Sequence, residues 1–163
     1  PRVLSMVGED RDAVILAALL LFTFPGAPCI YYGDEVGLTG RHDPGARGGF
    51  PWERPDSWDR PILGAFRSLA FLRRDHPALR RGTYRHLAAD GALYAFCREG
   101  EGERLVVALN AGDAEGTVAL PAEGLGPAGR CWGSGTLQPE SGGPRLTLPG
   151  RSGGVWWAAE GST

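Results

Sequence analysis

Lysine is absent from this sequence: all 17 basic residues are arginine. With 26 glycines and 13 prolines in 163 residues, the bias reads as the coding habit of a GC-rich genome, not as function. A P-loop, which needs a lysine to reach the terminal phosphates, is excluded. No G-x-S-x-G stands at a strand-to-helix turn, so a serine nucleophile elbow is excluded as well. Cysteine is scarce. Cys29, Cys97 and Cys131 lie far apart without metal-ligand spacing, and their odd number argues against a secreted disulfide framework. Each sits in or beside an apolar run, the setting of a buried small hydrophobe. Long hydrophobic runs are missing too. The longest, residues 13–22, is well short of the about 20 residues that span a bilayer. It follows the acidic Glu9-Asp10 pair, whereas a leader peptide would put basic residues there. Finally, net charge is only −2, which speaks against nucleic acid or an anionic membrane as partner. The expectation from these absences is a cytoplasmic globular protein with no nucleic-acid partner, no membrane partner and no cofactor.

What is present is organised around residues 24–37. Pro25-Gly26-Ala27-Pro28 makes a rigid turn, because prolines fix φ and glycine permits positive φ. Cys29-Ile30-Tyr31-Tyr32 reads as a short strand buried on both faces, ended by Gly33-Asp34-Glu35. Before it, residues 2–8 read as an irregular lead-in, and residues 13–22 as a helix apolar nearly all round, preceded by acidic residues that suit a helix N-terminus. After it comes a Gly/Pro/Asp/Arg-rich loop over 37–58. Asp59-Arg60-Pro61 then reads as an N-cap with an early-turn proline, opening a helix with an apolar stripe of Ile62, Phe66, Leu69 and Ala70.

From residue 83 the periodicity changes. Residues 83–87, 92–97, 105–110, 117–120, 146–148 and 155–158 read as short strands with no helix between them, an antiparallel sandwich. Residues 124–143 read as a Gly/Pro-rich loop. The expected division is residues 1–81 and residues 82–163, α/β followed by all-β. Residues 13–22 and 29–32 alone would expose apolar surface, so residues 82–163 are expected to be the better-protected unit.

The run Gly26-x-Pro28-x-Ile30-Tyr31-Tyr32-Gly33-Asp34-Glu35-x-Gly37 resembles the last barrel strand of the α-amylase family, glycoside hydrolase family 13. Its continuation, Leu38-Thr39-Gly40-Arg41-His42-Asp43-Pro44-Gly45-Ala46-Arg47 and Phe50-Pro51-Trp52, resembles the neopullulanase, cyclomaltodextrinase and maltodextrin glucosidase branch. The resemblance implies the last helix-strand-helix of a (β/α)8 TIM barrel followed by an antiparallel β-sandwich, domain C. It also implies a retaining glycoside hydrolase acting on α-glucans or maltodextrins.

Such chemistry needs two carboxyl groups about 5 to 5.5 Å apart across the scissile bond. In the family these stand on earlier barrel strands, and a third carboxylate belongs to a His-Asp motif after the seventh strand, commonly followed by Thr-Pro-Arg. The chain opens Pro1-Arg2, so the resemblance implies that all three lie upstream. No catalytic residue is expected here, and activity requires the missing N-terminal part of the barrel as partner. Asp34 and Glu35, if extended neighbours, would point to opposite faces and cannot flank one bond; both read as structural acceptors at the strand rim.

Implied substrate-binding residues are Asp43 and Arg47, from a D-P-x-x-R element that reaches over the non-reducing end of a bound glucan. Asp43 would accept from sugar hydroxyls and Arg47 would donate a fork of N–H groups. The bland alternative is a local ion pair that shapes the loop. His42 binds substrate or sits in solvent, with solvent favoured. Trp52 stacks on sugar or anchors the loop. Gly48-Gly49 departs from relatives that carry a basic residue after the arginine. In the sandwich, Trp132, Trp156 and Trp157 invite a starch-binding reading, with core and interface packing favoured and only one of the adjacent pair inside. The other function class is therefore a non-catalytic carbohydrate-binding module. No metal site is expected, and no oxygen cluster for calcium is visible.

Overall fold

The structure is a computed structural model that describes residues 1–122 and 128–158. Helix α1 (Val3–Met6) and helix α2 (Arg11–Thr23) come first. The lead-in expected to be irregular thus contains one helical turn. Asp10 caps α2 by accepting from the Ala13 N–H at 3.1 Å, satisfying a donor that the first turn leaves free. Helix α3 (Arg60–Asp75) starts as its sequence announces, with Asp59 accepting from the Ile62 N–H at 3.0 Å. It packs beside α2, where Phe22 meets Phe66 edge to face at 5.9 Å. Arg73 of α3 donates to the Phe22 carbonyl at 2.8 Å, taking up one of the carbonyls that a helix C-terminus leaves unpaired. Helix α4 (Pro77–Arg81) closes the helical part.

Eight strands follow: β1 (Thr83–Asp90), β2 (Leu93–Gly100), β3 (Glu103–Asn110), β4 (Gly116–Ala119), β5 (Ala128–Gly133), β6 (Thr136–Gln138), β7 (Arg145–Leu148) and β8 (Ser152–Ala158). They form an antiparallel five-stranded sheet in the order β1-β2-β3-β8-β5 and a three-stranded sheet in the order β4-β7-β6. The fold is a helical segment followed by a β-sandwich.

Two sequence expectations fail at this level. Residues 29–32 form no strand, and Ile30, Tyr31 and Tyr32 are exposed instead of buried on both faces. A parallel strand exists only through neighbours, and no described segment runs alongside it. The stretch expected to be a loop over 124–143 contains β5 and β6, with residues 123–127 lying outside the described part. Strand β5 forms on the open edge of β8, where Gly129 pairs Trp157 and Gly133 pairs Gly154, and β6 forms on β7, where Leu137 pairs Leu146.

The middle of the five-stranded sheet is buried on both faces. On β3, Leu105, Val107 and Leu109 pack with Leu16, Leu19, Phe22, Leu69 and Leu79 of the helices. The alternate residues Val106 and Ala108 pack with Leu146, Leu148 and Trp156 against the smaller sheet. Period-two alternation thus yields a three-layer stack of helices, sheet and sheet. The helices and the five-stranded sheet share one core, so α2 and α3 are protected by the strands they precede.

Gly153 permits the close approach of α2, since a Cβ there would lie 2.5 Å from Leu19 Cδ2 and 2.7 Å from the Ala108 carbonyl oxygen. Arg98 is buried and donates to three carbonyls, those of Thr23 at 2.6 Å, Gly82 at 2.9 Å and Thr83 at 3.1 Å. Asn110, also buried, holds the chain after β3, donating to the Ala114 and Pro149 carbonyls and accepting from Gly112 N–H at 2.9 Å.

Of the three cysteines expected to be buried, only Cys97 is. Cys29 lies in the unpaired segment and Cys131 on the edge strand β5, where no further strand covers them. Trp156 is buried while Trp157 is 45% exposed, as alternation requires. Trp132 donates from Nε1 to Ser68 Oγ at 2.8 Å and so ties β5 to α3. No helix among the described residues is long and apolar enough to cross a membrane.

Candidate functional site

The site candidates stand on the segment between α2 and α3. Its geometry begins at Gly33 and Gly37, with φ of +89° and +74°, which bracket a 3-10 turn over Asp34–Val36. At Gly33 a side chain would collide with Leu38 as well as adopt a left-handed backbone, so glycine is required there. Asp34 and Glu35 are therefore helical neighbours, not the extended pair expected from sequence. Glu35 accepts from the Gly33 N–H at 2.7 Å, the rim-acceptor role read for it. Asp34 lies 3.6 Å from the Arg2 guanidinium. Burial raises the Asp34 pKa above the usual carboxylate range, with the Arg2 charge acting in the opposite direction.

Arg2 is only 2% exposed. Its guanidinium lies over the rings of Tyr31 and Tyr32, 4.4 and 4.6 Å from their centroids. It also donates to the Tyr32 carbonyl. Its Nε and Nη2, and Asp34 Oδ1, are buried without a hydrogen-bond partner among the described residues.

The loop over 37–58 is tied at both ends. Arg2 N–H donates to the Gly40 carbonyl at 2.8 Å, and Gly40 N–H donates to Ser5 Oγ at 2.9 Å. At the far end Asp59 N–H donates to the Val36 carbonyl at 3.0 Å, while the Asp59 carboxylate pairs Arg11 at 2.8 Å. Between these anchors, Gly45–Arg47 forms a 3-10 turn. That turn brings Arg47 Nη2 to 2.8 Å from Asp43 Oδ2, with both side chains open to solvent at 72% and 59% exposure. Tyr32 Oη reaches the Arg47 and Gly48 carbonyls, each at 3.2 Å.

His42 is exposed, and its carbonyl accepts from Ala46 N–H at 2.9 Å. Trp52 is 73% exposed and lies against Phe50, with ring centroids 4.3 Å apart. Phe50 meets Trp58 at 5.5 Å, and Trp58 Nε1 donates to the Pro51 carbonyl at 3.1 Å. Chemically the loop offers an open carboxylate beside an open guanidinium, and an indole held by other aromatics. Groups of these kinds can hydrogen-bond hydroxyls and pack against the apolar face of a ring. No group of three metal-ligating side chains is assembled among the described residues. Tyr32 and Arg2 are the contributors that sequence reading missed. Both touch the loop through contacts distant in sequence, and the only local signal was the doubled tyrosine before Gly33.

The helical segment and its loop thus lie on one side of the β-sandwich. The family model described as the α-amylase catalytic domain matches residues 1–82, and the chain belongs to the α-amylase family. A cyclomaltodextrinase from Bacillus sp is 39% identical over 111 residues, covering 67% of this chain and 20% of its own length. Neopullulanase 2 of Thermoactinomyces vulgaris is 35% identical over 133 residues, covering 80% of this chain and 22% of its own length. The native form of the Nostoc punctiforme debranching enzyme superposes with a TM-score of 0.86 at 41% identity, covering 95% of this chain and 33% of that structure. The chain thus spans about a fifth of the length of these two curated relatives.

Proposed function

We propose that the chain works as the C-terminal part of a retaining glycoside hydrolase acting on α-glucans or maltodextrins. On this reading residues 1–81 complete a (β/α)8 barrel whose other units carry the acid, the nucleophile and the third carboxylate. Residues 82–163 serve as domain C. Asp43 and Arg47 grip a sugar ring away from the scissile bond: Asp43 accepts from hydroxyls and the Arg47 fork donates to the same ring. Trp52 supplies an apolar wall, and His42 stays in solvent. The observation that carries this reading is the Asp43–Arg47 pair itself, solvent-open and presented by a loop tied at both ends. The carbohydrate-module alternative is weakened because Trp156 is buried and the Trp132 indole is engaged with Ser68, leaving Trp157 without a second exposed indole in the sandwich.

The test uses the full-length protein that carries this segment. Losing either partner removes a charge-assisted hydrogen bond of about 1.5 to 3 kcal/mol, roughly ten- to hundredfold in kcat/KM. For Asp43→Ala and Arg47→Ala the loss is expected on long maltodextrins and not on an activated aryl glucoside too short to reach the distal subsite. Equal losses on both substrates with a lowered Tm would mean loop collapse. Equal losses with an unchanged Tm would place the pair nearer the reacting bond.

A further inference from the structure

The Tyr32 side chain joins the end of the unpaired segment to the tip of the loop. Its hydroxyl donates to the carbonyls of Arg47 and Gly48, 15 and 16 positions further along the chain. Its ring lies under the Arg2 guanidinium, and its own carbonyl accepts from Arg2. Arg2 in turn holds the loop's first turn through its backbone N–H on Gly40. A nearly fully buried guanidinium therefore fixes the ring, and the ring fixes the backbone that carries Arg47. The Arg47 fork is on a flexible stem whose only described side-chain partner is Asp43, itself exposed. Without an anchor on its backbone that pair would sample many positions, and a fork that must be ordered on binding loses affinity to the entropy of ordering.

We propose that Tyr32 is a positioning residue for the Asp43–Arg47 pair, anchored by Arg2, and that it sets how well an α-glucan chain is held away from the scissile bond. The inference rests on the function proposed above for that pair. Tyr32 touches no sugar in this scheme; it acts through the Arg47 and Gly48 carbonyls. Arg2 serves this task through Nη1 and its backbone N–H.

The experiment compares Tyr32→Phe and Tyr32→Leu with the parent in the full-length protein. Tyr32→Phe keeps the ring under Arg2 and removes the hydroxyl, so the fold survives while the tether is cut. Amide exchange is read at Ala46, Arg47 and Gly48, whose N–H groups bond to the His42, Pro44 and Gly45 carbonyls, with Leu63 in the first turn of α3 as reference. Loss of one neutral hydrogen bond predicts about three- to tenfold faster exchange at the three loop amides and none at Leu63. The same factor is expected in kcat/KM on a long maltodextrin, carried mainly by KM, with less than about twofold change on an aryl glucoside. In an Asp43→Ala background Tyr32→Phe should add no further loss, because the two changes disable one grip.

Unchanged exchange at the three loop amides overturns the positioning role. So does faster exchange that includes Leu63, which would mean general destabilisation. Faster loop exchange with equal losses on both substrates supports the tether and overturns the distal grip proposed for Asp43 and Arg47, so the two failures are told apart. Tyr32→Leu should match or exceed Tyr32→Phe; a Tyr32→Leu variant that exchanges and turns over like the parent overturns the proposal.

Discussion

Arg98 donates from Nη1 to the carbonyl of Thr23 at 2.6 Å, across 75 positions of the chain. Thr23 is the last residue of α2, and the same guanidinium also takes the Gly82 and Thr83 carbonyls where the helical part passes into β1. One planar fork thus satisfies acceptors from both halves of the molecule. Replacing it by Met should leave buried carbonyls unpaired, at about 1 to 3 kcal/mol each for those that water cannot reach. Arg98→Met is expected to lower the unfolding midpoint strongly. Arg98→Lys should recover only part of the loss, because a point charge cannot serve three carbonyls in a fork geometry. Urea titration followed by circular dichroism measures both.

Gly153 sets the distance between α2 and β8. A methyl group there meets Leu19 Cδ2 at 2.5 Å and the Ala108 carbonyl oxygen at 2.7 Å, and the second neighbour is backbone that cannot swing aside. Gly153→Ala is expected to destabilise by about 1 to 3 kcal/mol, the usual cost of overpacking. Adding Leu19→Ala should return only the side-chain share of that loss. A double-mutant cycle on thermal stability separates the two shares.

Protection against hydrogen exchange should not divide at residue 82. Because α2, α3 and β3 share one core, amides in α2 and α3 are expected to exchange together with those of the five-stranded sheet. Residues 25–32 form neither helix nor ladder and should exchange fastest among the described residues. Protection in α2 lower than in β3 by a wide margin would contradict the shared core. Peptide-resolved exchange mass spectrometry decides it.

Glu99 accepts from Arg104 Nη2 at 2.6 Å, and this bond holds its carboxyl below the usual glutamate range. A depressed carboxylate stabilises the fold above its unfolded-state pKa and loses that contribution as pH falls through the folded-state value. Glu99→Gln should therefore cost stability at pH 7 and cost nothing in acid below the depressed pKa. The side chain is partly exposed, so the neutral-pH difference is expected to stay within about 1 kcal/mol. Paired urea titrations across the acid range check the closing gap.

Local chemistry alone determined several parts of this protein. Asp10 and Asp59 announce α2 and α3 because a cap needs only a carboxylate three residues from the N–H it satisfies. The short apolar runs of β2, β3 and β8, punctuated by Gly, Pro and Asp, announce strands because such residues suit a pleated sheet and the punctuation suits turns. Asp43 and Arg47 are legible only from the resemblance of their loop to a family element, and the structure sets them 2.8 Å apart as a local ion pair. Tertiary structure decided the rest. Residues 29–32 have strand composition but no ladder, since pairing depends on neighbours that a local pattern cannot supply. Gly129 and Gly133 lie in strand β5 only because β8 presents an edge to them. Arg98 and Arg2, charged residues that composition would place in solvent, are buried because distant carbonyls and aromatic rings converge on them. Tyr32 reaches the loop only because chain 15 residues away folds back to it. Contacts that close over long separations are set by packing of the whole, and no window of sequence contains both partners.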